Sequence, residues 1–239
     1  MPTAKNKDSM VQAMFKAGAH FGLAKARRHP STKPYVFGVK NEIEILDLEK
    51  THEALEKARA FVASVAAAGK QALFVGGKSE SIPAVRAAAL QAGQPMVAGR
   101  WIGGTLTNFT QIRKRVEKFE NRQKEKEKGE LGKYTKKERL LIDREIAKLE
   151  TMFGGIVSMK DKPGVVIVVD PKKEHIVVEE ARQTGVPVVA IASTDCDLSL
   201  VDYPIPANDS SASSTAFFLD ELARAYSDAK AAAAKAEAK

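Results

Sequence analysis

Short apolar runs alternate with helix-length segments along most of the 239-residue chain, and this alternation constrains the fold more than any other feature. The run VVIVV at 165–169 is apolar at every position, which is typical of a strand buried on both faces of a sheet. Further strands are predicted at 72–75, 95–98, 186–191 and 204–206, with helices at 82–92 and 174–184 and a last helix after the serines of 210–214. Strands separated by helices indicate βαβ units, so the sequence predicts an α/β domain with a parallel sheet.

The first 70 residues follow a different pattern. They predict a helix at 9–19, an irregular basic loop at 23–34, a β-hairpin formed by 35–39 and 42–46, and a helix capped by Asp47 that continues to about Ala68. A basic N-terminal extension with its own hairpin therefore precedes the sheet.

A charged insert at 107–153 interrupts the alternation. Apolar residues recur at spacings of three and four at 109–119 and again at 142–153. Between them, Thr135 and Glu138 form a capping box that starts a second helix. Two helices with narrow apolar seams and a short connection predict a protruding antiparallel coiled-coil hairpin. The predicted organisation is an α/β globular domain of 1–106 and 154–228, an inserted arm of 107–153, and a flexible Ala/Lys-rich tail of 229–239.

The sequence RWIGGTLTN at 100–108 lies at the root of this arm. Its glycine pair suits a tight turn or a close backbone contact, and the predicted hinge consists of Trp101, Gly103, Gly104 and Asn108. For Trp101, packing of the arm onto the sheet is favoured over stacking on a base, and the adjacent Arg100 is compatible with either role.

Positive charge is concentrated in two segments. The net charge is +8, but residues 1–40 contain eight Lys or Arg and one acid, which is +7, and residues 111–150 contain fourteen basic and nine acidic residues, which is +5. The remaining residues are neutral or acidic in balance. Such a distribution favours a directional anionic partner, nucleic acid first, over a generally basic surface.

Composition also excludes several classes of protein. A single cysteine rules out an internal disulfide and fits a reducing compartment. No apolar run approaches the roughly 20 residues of a membrane span, and the N-terminus lacks the apolar region of a secretory signal. A cytoplasmic protein without a membrane partner is expected.

Catalytic signatures are weak. FVGGKS at 74–79 resembles a phosphate loop, but Ala72 stands where the first glycine is needed and the loop positions are predicted to be strand. Asp170 follows a strand, where a turn-forming role is favoured over a catalytic one. The histidines have no metal-ligand spacing, and acids flank Cys196, which disfavours its thiolate. No catalytic residue, metal, cofactor or small-molecule substrate is therefore predicted.

Several long motifs, in order, resemble the bacterial small-subunit ribosomal protein S-two family. They are MFKAGAHFG at 14–22, TKPYVFGVKNEIEILDLEKT at 32–51, RWIGGTLTN at 100–108 and PGVVIVVDPKKEHIVVEEARQTGVPVVAIASTDCD at 163–197. The resemblance implies a flavodoxin-like (Rossmann-like) three-layer domain with a coiled-coil arm. It also implies a structural, non-enzymatic role on the ribosome, with binding to small-subunit rRNA between head and body, contacts with neighbouring ribosomal proteins, and docking of ribosomal protein S-one.

The predicted RNA-binding residues are the cations of the two basic segments and of the arm root: Lys25, Arg27, Arg28, Lys33, Lys40, Arg100, Arg113, Lys114, Arg115 and Lys118. They are suited to neutralise phosphates. The alternative for the loop of residues 24–40 is a solvated basic surface. The alternative for the whole chain is a phosphosugar- or nucleotide-binding α/β enzyme that carries a helical arm.

Overall fold

The computed structural model describes residues 4–237, apart from the side chains of residues 4–7, 130, 133, 236 and 237. The helices are α1 (Ala4–Lys16), α2 (Leu48–Ala67), α3 (Ile82–Ala92), α4 (Phe109–Glu127), α5 (Lys136–Phe153), α6 (His175–Thr184) and α7 (Ala212–Glu237). The strands are β1 (Phe21–Ala24), β2 (Val36–Lys40), β3 (Ile43–Leu46), β4 (Ala72–Gly76), β5 (Met96–Ala98), β6 (Val165–Val169), β7 (Val188–Ala192) and β8 (Tyr203–Pro206). Short 3-10 turns occur at 25–27, 30–35, 130–133, 154–156 and 198–200.

The central sheet is parallel, with the strand order β5-β4-β6-β7-β8. This order reverses direction between β4 and β6, as in a doubly wound sheet. Strands β4, β6 and β7 are buried along their whole length. The predicted parallel sheet is thus confirmed, and the continuous apolar runs exist because both faces of these strands are covered.

Alternate residues of each strand contribute to different sides of the core. Phe74, Ile167 and Ile191 pack with α2, α3 and α7 on one face. Val75 and Val168 pack on the other face with α6, with the N-terminal half of α4 and with the C-terminal half of α5. Helices on both faces of one sheet are consistent with a three-layer α/β fold.

A second sheet, antiparallel, lies in the N-terminal part of the chain. Its strand order is β1-β3-β2. The predicted hairpin of β2 and β3 is confirmed, and its turn places Asn41 and Glu42 at positive φ, as a two-residue type I′ turn requires. The prediction that the basic loop begins at residue 23 is wrong, because 21–24 pair with β3 as strand β1. The predicted helix at 9–19 begins earlier and ends at Lys16.

The insert forms two antiparallel helices. Thr135 and Glu138 make the predicted capping box at the start of α5. Lys118 lies 2.5 Å from Glu145, and Lys126 lies 2.7 Å from Asp143, so α4 and α5 run in opposite directions. The apolar seam belongs to the same buried cluster as the sheet; its members are Ile112, Val116, Phe119, Ile146, Leu149 and Phe153. The arm root is therefore continuous with the core, and a coiled-coil supertwist stays a prediction.

The last helix includes most of the Ala/Lys-rich segment. Helix α7 continues to Glu237, so most of the predicted Ala/Lys-rich tail is helical. Ala229 still packs against the core, whereas residues 234 and 235 are exposed. Alanine has the highest helix propensity, which accounts for continuation beyond the last core contact.

Candidate nucleic-acid interface

The predicted basic loop is held against the body by hydrogen bonds, several of them to the buried Thr194. Thr194, just after β7, accepts a hydrogen bond from the Leu23 amide on its side-chain oxygen, at 3.0 Å. Its carbonyl oxygen accepts two more, from the His29 amide at 2.8 Å and the Thr32 hydroxyl at 3.0 Å. Thr194 has no exposed surface. The loop is therefore fixed along its length, which lowers the conformational entropy that binding would have to remove.

The cations of this loop differ in their surroundings. The Arg28 guanidinium donates to the Glu44 carboxylate at 3.1 Å, and the Glu44 side chain is completely buried. Because an unpaired buried carboxylate is costly, Arg28 has a structural role as the counter-charge of Glu44. In contrast, the side chains of Lys25, Arg27 and Lys33 are exposed, as is that of Lys40 at the end of β2. Among the described residues these four make no ion pair, so their charges face solvent.

The arm root is fixed by Glu180, a residue that the sequence analysis did not identify. One carboxylate oxygen, Oε1, accepts hydrogen bonds from the Trp101 indole at 3.1 Å and from the Gly104 amide at 2.7 Å. Its other oxygen accepts from the Leu106 amide at 3.0 Å and from the amide and hydroxyl of Thr107, each at 3.2 Å. One side chain of α6 thus binds four residues of the loop 101–107 and holds this loop in place.

The electrostatics of Glu180 agree with this geometry. Burial by itself would raise the pKa of the carboxyl, but the bonds from Leu106, Gly104, Trp101 and Thr107 outweigh burial and hold the pKa below its usual value. The sequence contains one signal that could have identified Glu180. It is an acidic residue on the apolar face of α6, beside the core residue Ala181. An acid placed on an apolar helix face needs a partner, and here the partner is the loop.

The predicted hinge residues occupy distinct positions. Trp101 is buried, and its N–H is bound to Glu180, which favours a packing role over base stacking. Gly104 has φ of +88°, while Gly103 is exposed and is not in the left-handed region. Asn108 precedes α4 as its N-cap, although its side chain makes no capping bond. The tight turn is therefore at Gly104.

Replacement of Gly104 by alanine is expected to destabilise the protein by about 1–2 kcal/mol, because a side chain at this φ is strained. Gly103→Ala is the matched control, since the nearest atom to its added Cβ would be Glu180 Oε1 at 4.0 Å. The measurement is urea unfolding of both variants. Equal stability of the two would contradict a special role for Gly104.

The predicted cations of the arm also divide into two groups. The Arg113 guanidinium donates to the Val157 carbonyl at 3.0 Å and lies 3.6 Å from Glu120. Lys118 is paired with Glu145. Lys114 and Arg115 are exposed, as is Arg100 at the root. The structure thus presents Lys114, Arg115 and Arg100 outward and uses Arg113 to attach the arm to the segment after it.

A buried polar cluster lies at the carboxyl ends of the parallel strands. The Lys78 ammonium is 2.7 Å from Asp170 and 3.1 Å from Asp209. Potential ligand atoms of Asp170, Cys196 and Asp209 lie within 4.8 Å of one another. Asp170 has φ of +62° and accepts bonds from the Lys172 and Lys173 amides, so it forms the favoured turn.

Two carboxylates share one ammonium in this cluster, so its charges are only partly matched. Burial opposes the charge of Lys78, but the bond with Asp170 and the field of Asp209 outweigh it and raise the lysine pKa. One ammonium cannot compensate two carboxylates, so burial and repulsion from Asp170 raise the pKa of Asp209. Burial, followed by the surrounding carboxylates, also raises the pKa of the Cys196 thiol, which disfavours a reactive thiolate. Lys78, the lysine of the phosphate-loop-like sequence, is thus paired with two carboxylates and is not available to bind a phosphate.

Fold and surface together define a basic α/β protein with an inserted helical arm, whose candidate site is an outward surface of cations rather than a catalytic cleft. None of the described helices has the length and apolar character needed to cross a bilayer. The family model for Ribosomal protein S2 matches residues 14–229, and the chain belongs to this family. The resemblance indicated by the sequence motifs is confirmed.

Related proteins are similar in sequence over most of this chain. A small ribosomal subunit protein uS2 from Roseiflexus sp. (strain RS-1) is 44% identical over 83% of this chain and 76% of its own length. The uS2 proteins of Sulfurimonas denitrificans and Desulfovibrio desulfuricans are 43% and 39% identical, each over 92% of this chain and over 85% and 86% of their own lengths. The similarity therefore includes both the body and the arm.

Proposed function

We propose that this protein is a structural, non-enzymatic component of the small ribosomal subunit that binds small-subunit rRNA in the cytoplasm. The observation that carries the proposal is the set of solvent-facing cations on a loop that Thr194 fixes in place. Fixed cations of this kind suit a phosphate backbone, and folded RNA is bound mainly through its shape and its phosphates. Family membership and the names of the relatives support assignment to the small subunit.

The finer parts of the proposal follow from the family resemblance. They are a position between head and body, contacts with neighbouring ribosomal proteins, and docking of ribosomal protein S-one. The strand order supports a flavodoxin-like class for the body, and the paired α4 and α5 support a coiled-coil arm.

The alternative function, a phosphosugar- or nucleotide-binding enzyme, lacks a comparable observation. It requires a phosphate cradle after β4, but Lys78 is paired with Asp170 and Asp209 there. Co-sedimentation of the native protein with small subunits tests the two functions directly. A protein that remains free of subunits in low salt would contradict the ribosomal proposal.

Replacement of Lys25, Arg27 and Lys33 together by alanine is expected to weaken binding to subunits depleted of this protein. Each lost phosphate contact lowers the log–log salt slope by about 0.7–0.9, so the triple variant should lose about 2–3 units of slope. The measurement is the affinity at several salt concentrations.

Arg28→Ala is the informative control for this experiment. Because Arg28 neutralises the buried Glu44, its loss should lower the free energy of unfolding by about 3 kcal/mol and change the salt slope little. A triple variant with an unchanged slope would show that the loop is a solvated basic surface.

A further inference from the structure

Two adjoining grooves lie at the root of the arm. The larger, of about 920 Å³, is lined by the edge strand β5, the segment after it and α5, and the smaller, of about 480 Å³, lies between the bases of α4 and α5. They share Ile102, Lys148 and Met152. The two grooves therefore adjoin at the arm root, and together they are termed the channel.

The channel carries excess positive charge. Its cations come from four separate elements: Arg86 from α3, Arg100 from the loop after β5, Arg115 from α4 and Lys148 from α5. All four side chains are exposed, and in the part of the chain that the structure describes none makes an ion pair. The lining acids are Glu145, which is paired with Lys118, and Glu150.

Small residues form part of the lining of the larger groove. Ala98, Gly99, Gly103, Ala147 and Gly155 line it. Space beside Gly99 is open to 4 Å, so a ligand can approach the backbone closely there. Trp101 also contributes to the lining, but it is buried and its N–H is bound to Glu180, so it offers no exposed ring for base stacking.

We propose that this channel binds a sugar–phosphate strand of RNA, with Arg86 and Lys148 as phosphate-binding residues beside Arg100 and Arg115. The inference rests on the proposed rRNA-binding function and assigns it a second surface, separate from the N-terminal loop. Charge complementarity identifies the occupant as a polyanion, and the small residues of the lining, without an exposed aromatic ring, favour a backbone over stacked bases.

The first test compares Arg86→Ala/Lys148→Ala with Lys57→Ala/Lys162→Ala, which removes the same charge from exposed positions outside the channel. Affinity for depleted subunits is measured across a range of salt concentrations. The channel variant should lower the log–log slope by about 1.5, corresponding to two phosphate contacts, and the control variant should leave it unchanged. Equal slopes for the two variants would overturn the proposal.

A second test locates the strand. An iron chelate is attached to a cysteine introduced at Thr151, within the channel, or at Ala60, an exposed position on α2. The native Cys196 is fully buried, so the label goes to the new thiol. Hydroxyl radicals from position 151 should cleave one short rRNA stretch, whereas position 60 should not cleave that stretch.

The outcomes separate this inference from the function on which it rests. Subunit binding without rRNA cleavage from position 151 contradicts the channel and leaves the ribosomal function standing. Cleavage of a neighbouring protein instead of RNA also contradicts it. Failure of the unmodified protein to bind subunits would remove the proposed function itself.

Discussion

Glu180→Gln should destabilise the protein by about 3 kcal/mol, although the two side chains have nearly the same shape. One carboxylate oxygen accepts from Trp101 and Gly104, and the other from Leu106 and Thr107. An amide keeps a single oxygen, so its NH₂ group must face at least two buried donors. Each donor that is left unsatisfied costs about 1–3 kcal/mol.

Urea unfolding followed by tryptophan fluorescence measures this effect directly, because Trp101 is the only tryptophan of the chain. Glu179→Gln is the matched control, since its side chain is the exposed neighbour on the same helix. We expect the Glu180 variant to shift the Trp101 emission and to bind subunits less well, because the arm root is no longer fixed. If both variants unfold at the same urea concentration, Glu180 does not hold the loop.

The pH dependence of stability gives a second readout of Glu180. Its pKa is lowered in the folded state, so its contribution is present above the unfolded pKa of about 4.3 and is lost as the pH falls through the folded value. Wild type should therefore lose stability in acid through this group. The Glu180→Gln variant should lack that part of the acid dependence.

Lys78→Met is expected to destabilise the protein by about 3–5 kcal/mol, because it leaves the carboxylates of Asp170 and Asp209 buried without their counter-charge. The hydrocarbon part of the side chain is nearly conserved, so packing changes little. Lys173→Met is the control: Lys173 is exposed, and its ammonium donates to the Gly77 carbonyl, at 3.1 Å.

The stability lost in Lys78→Met should recover partly in acid. Burial and Asp170 already raise the pKa of Asp209, and removal of the ammonium raises it further. A group with a raised folded pKa binds its proton more tightly when folded, so stability increases as the pH falls through that value towards the unfolded pKa of about 3.9. Urea unfolding at pH 7 and pH 5 measures this. A deficit that is the same at both pH values would contradict the cluster's electrostatic role.

Local sequence patterns predicted the helices and strands whose formation depends only on residues that are close in the chain. The runs in β4, β6 and β7 are apolar at every position because both faces are buried, and this requires no knowledge of which strands are neighbours. Asp47 and Thr135 cap α2 and α5 through bonds to amides two or three residues away. Strand β1 was missed because 21–24 become a strand only through pairing with β3.

The roles of the cations also depend on tertiary contacts that the sequence pattern does not show. Arg28 and Arg113 belong to the basic segments by sequence, but Glu44 and the Val157 carbonyl occupy their guanidinium groups. Lys25, Arg27 and Lys33 share the same local pattern and remain exposed. A count of charges cannot distinguish these cases, since the partner of a cation is set by tertiary contacts rather than by its neighbours in the chain.

The sequence by itself determined the parallel α/β body, the inserted pair of helices, the two basic segments and the family, since each depends on local periodicity, caps or the order of motifs. Only the tertiary structure decided how the arm root and the strand ends are held. Glu180 lies 79 residues from Trp101 along the chain, and Thr194 lies 171 residues from Leu23. Hydrogen bonds and ion pairs act over about 3 Å, so groups so far apart in sequence interact only after the fold has brought them together.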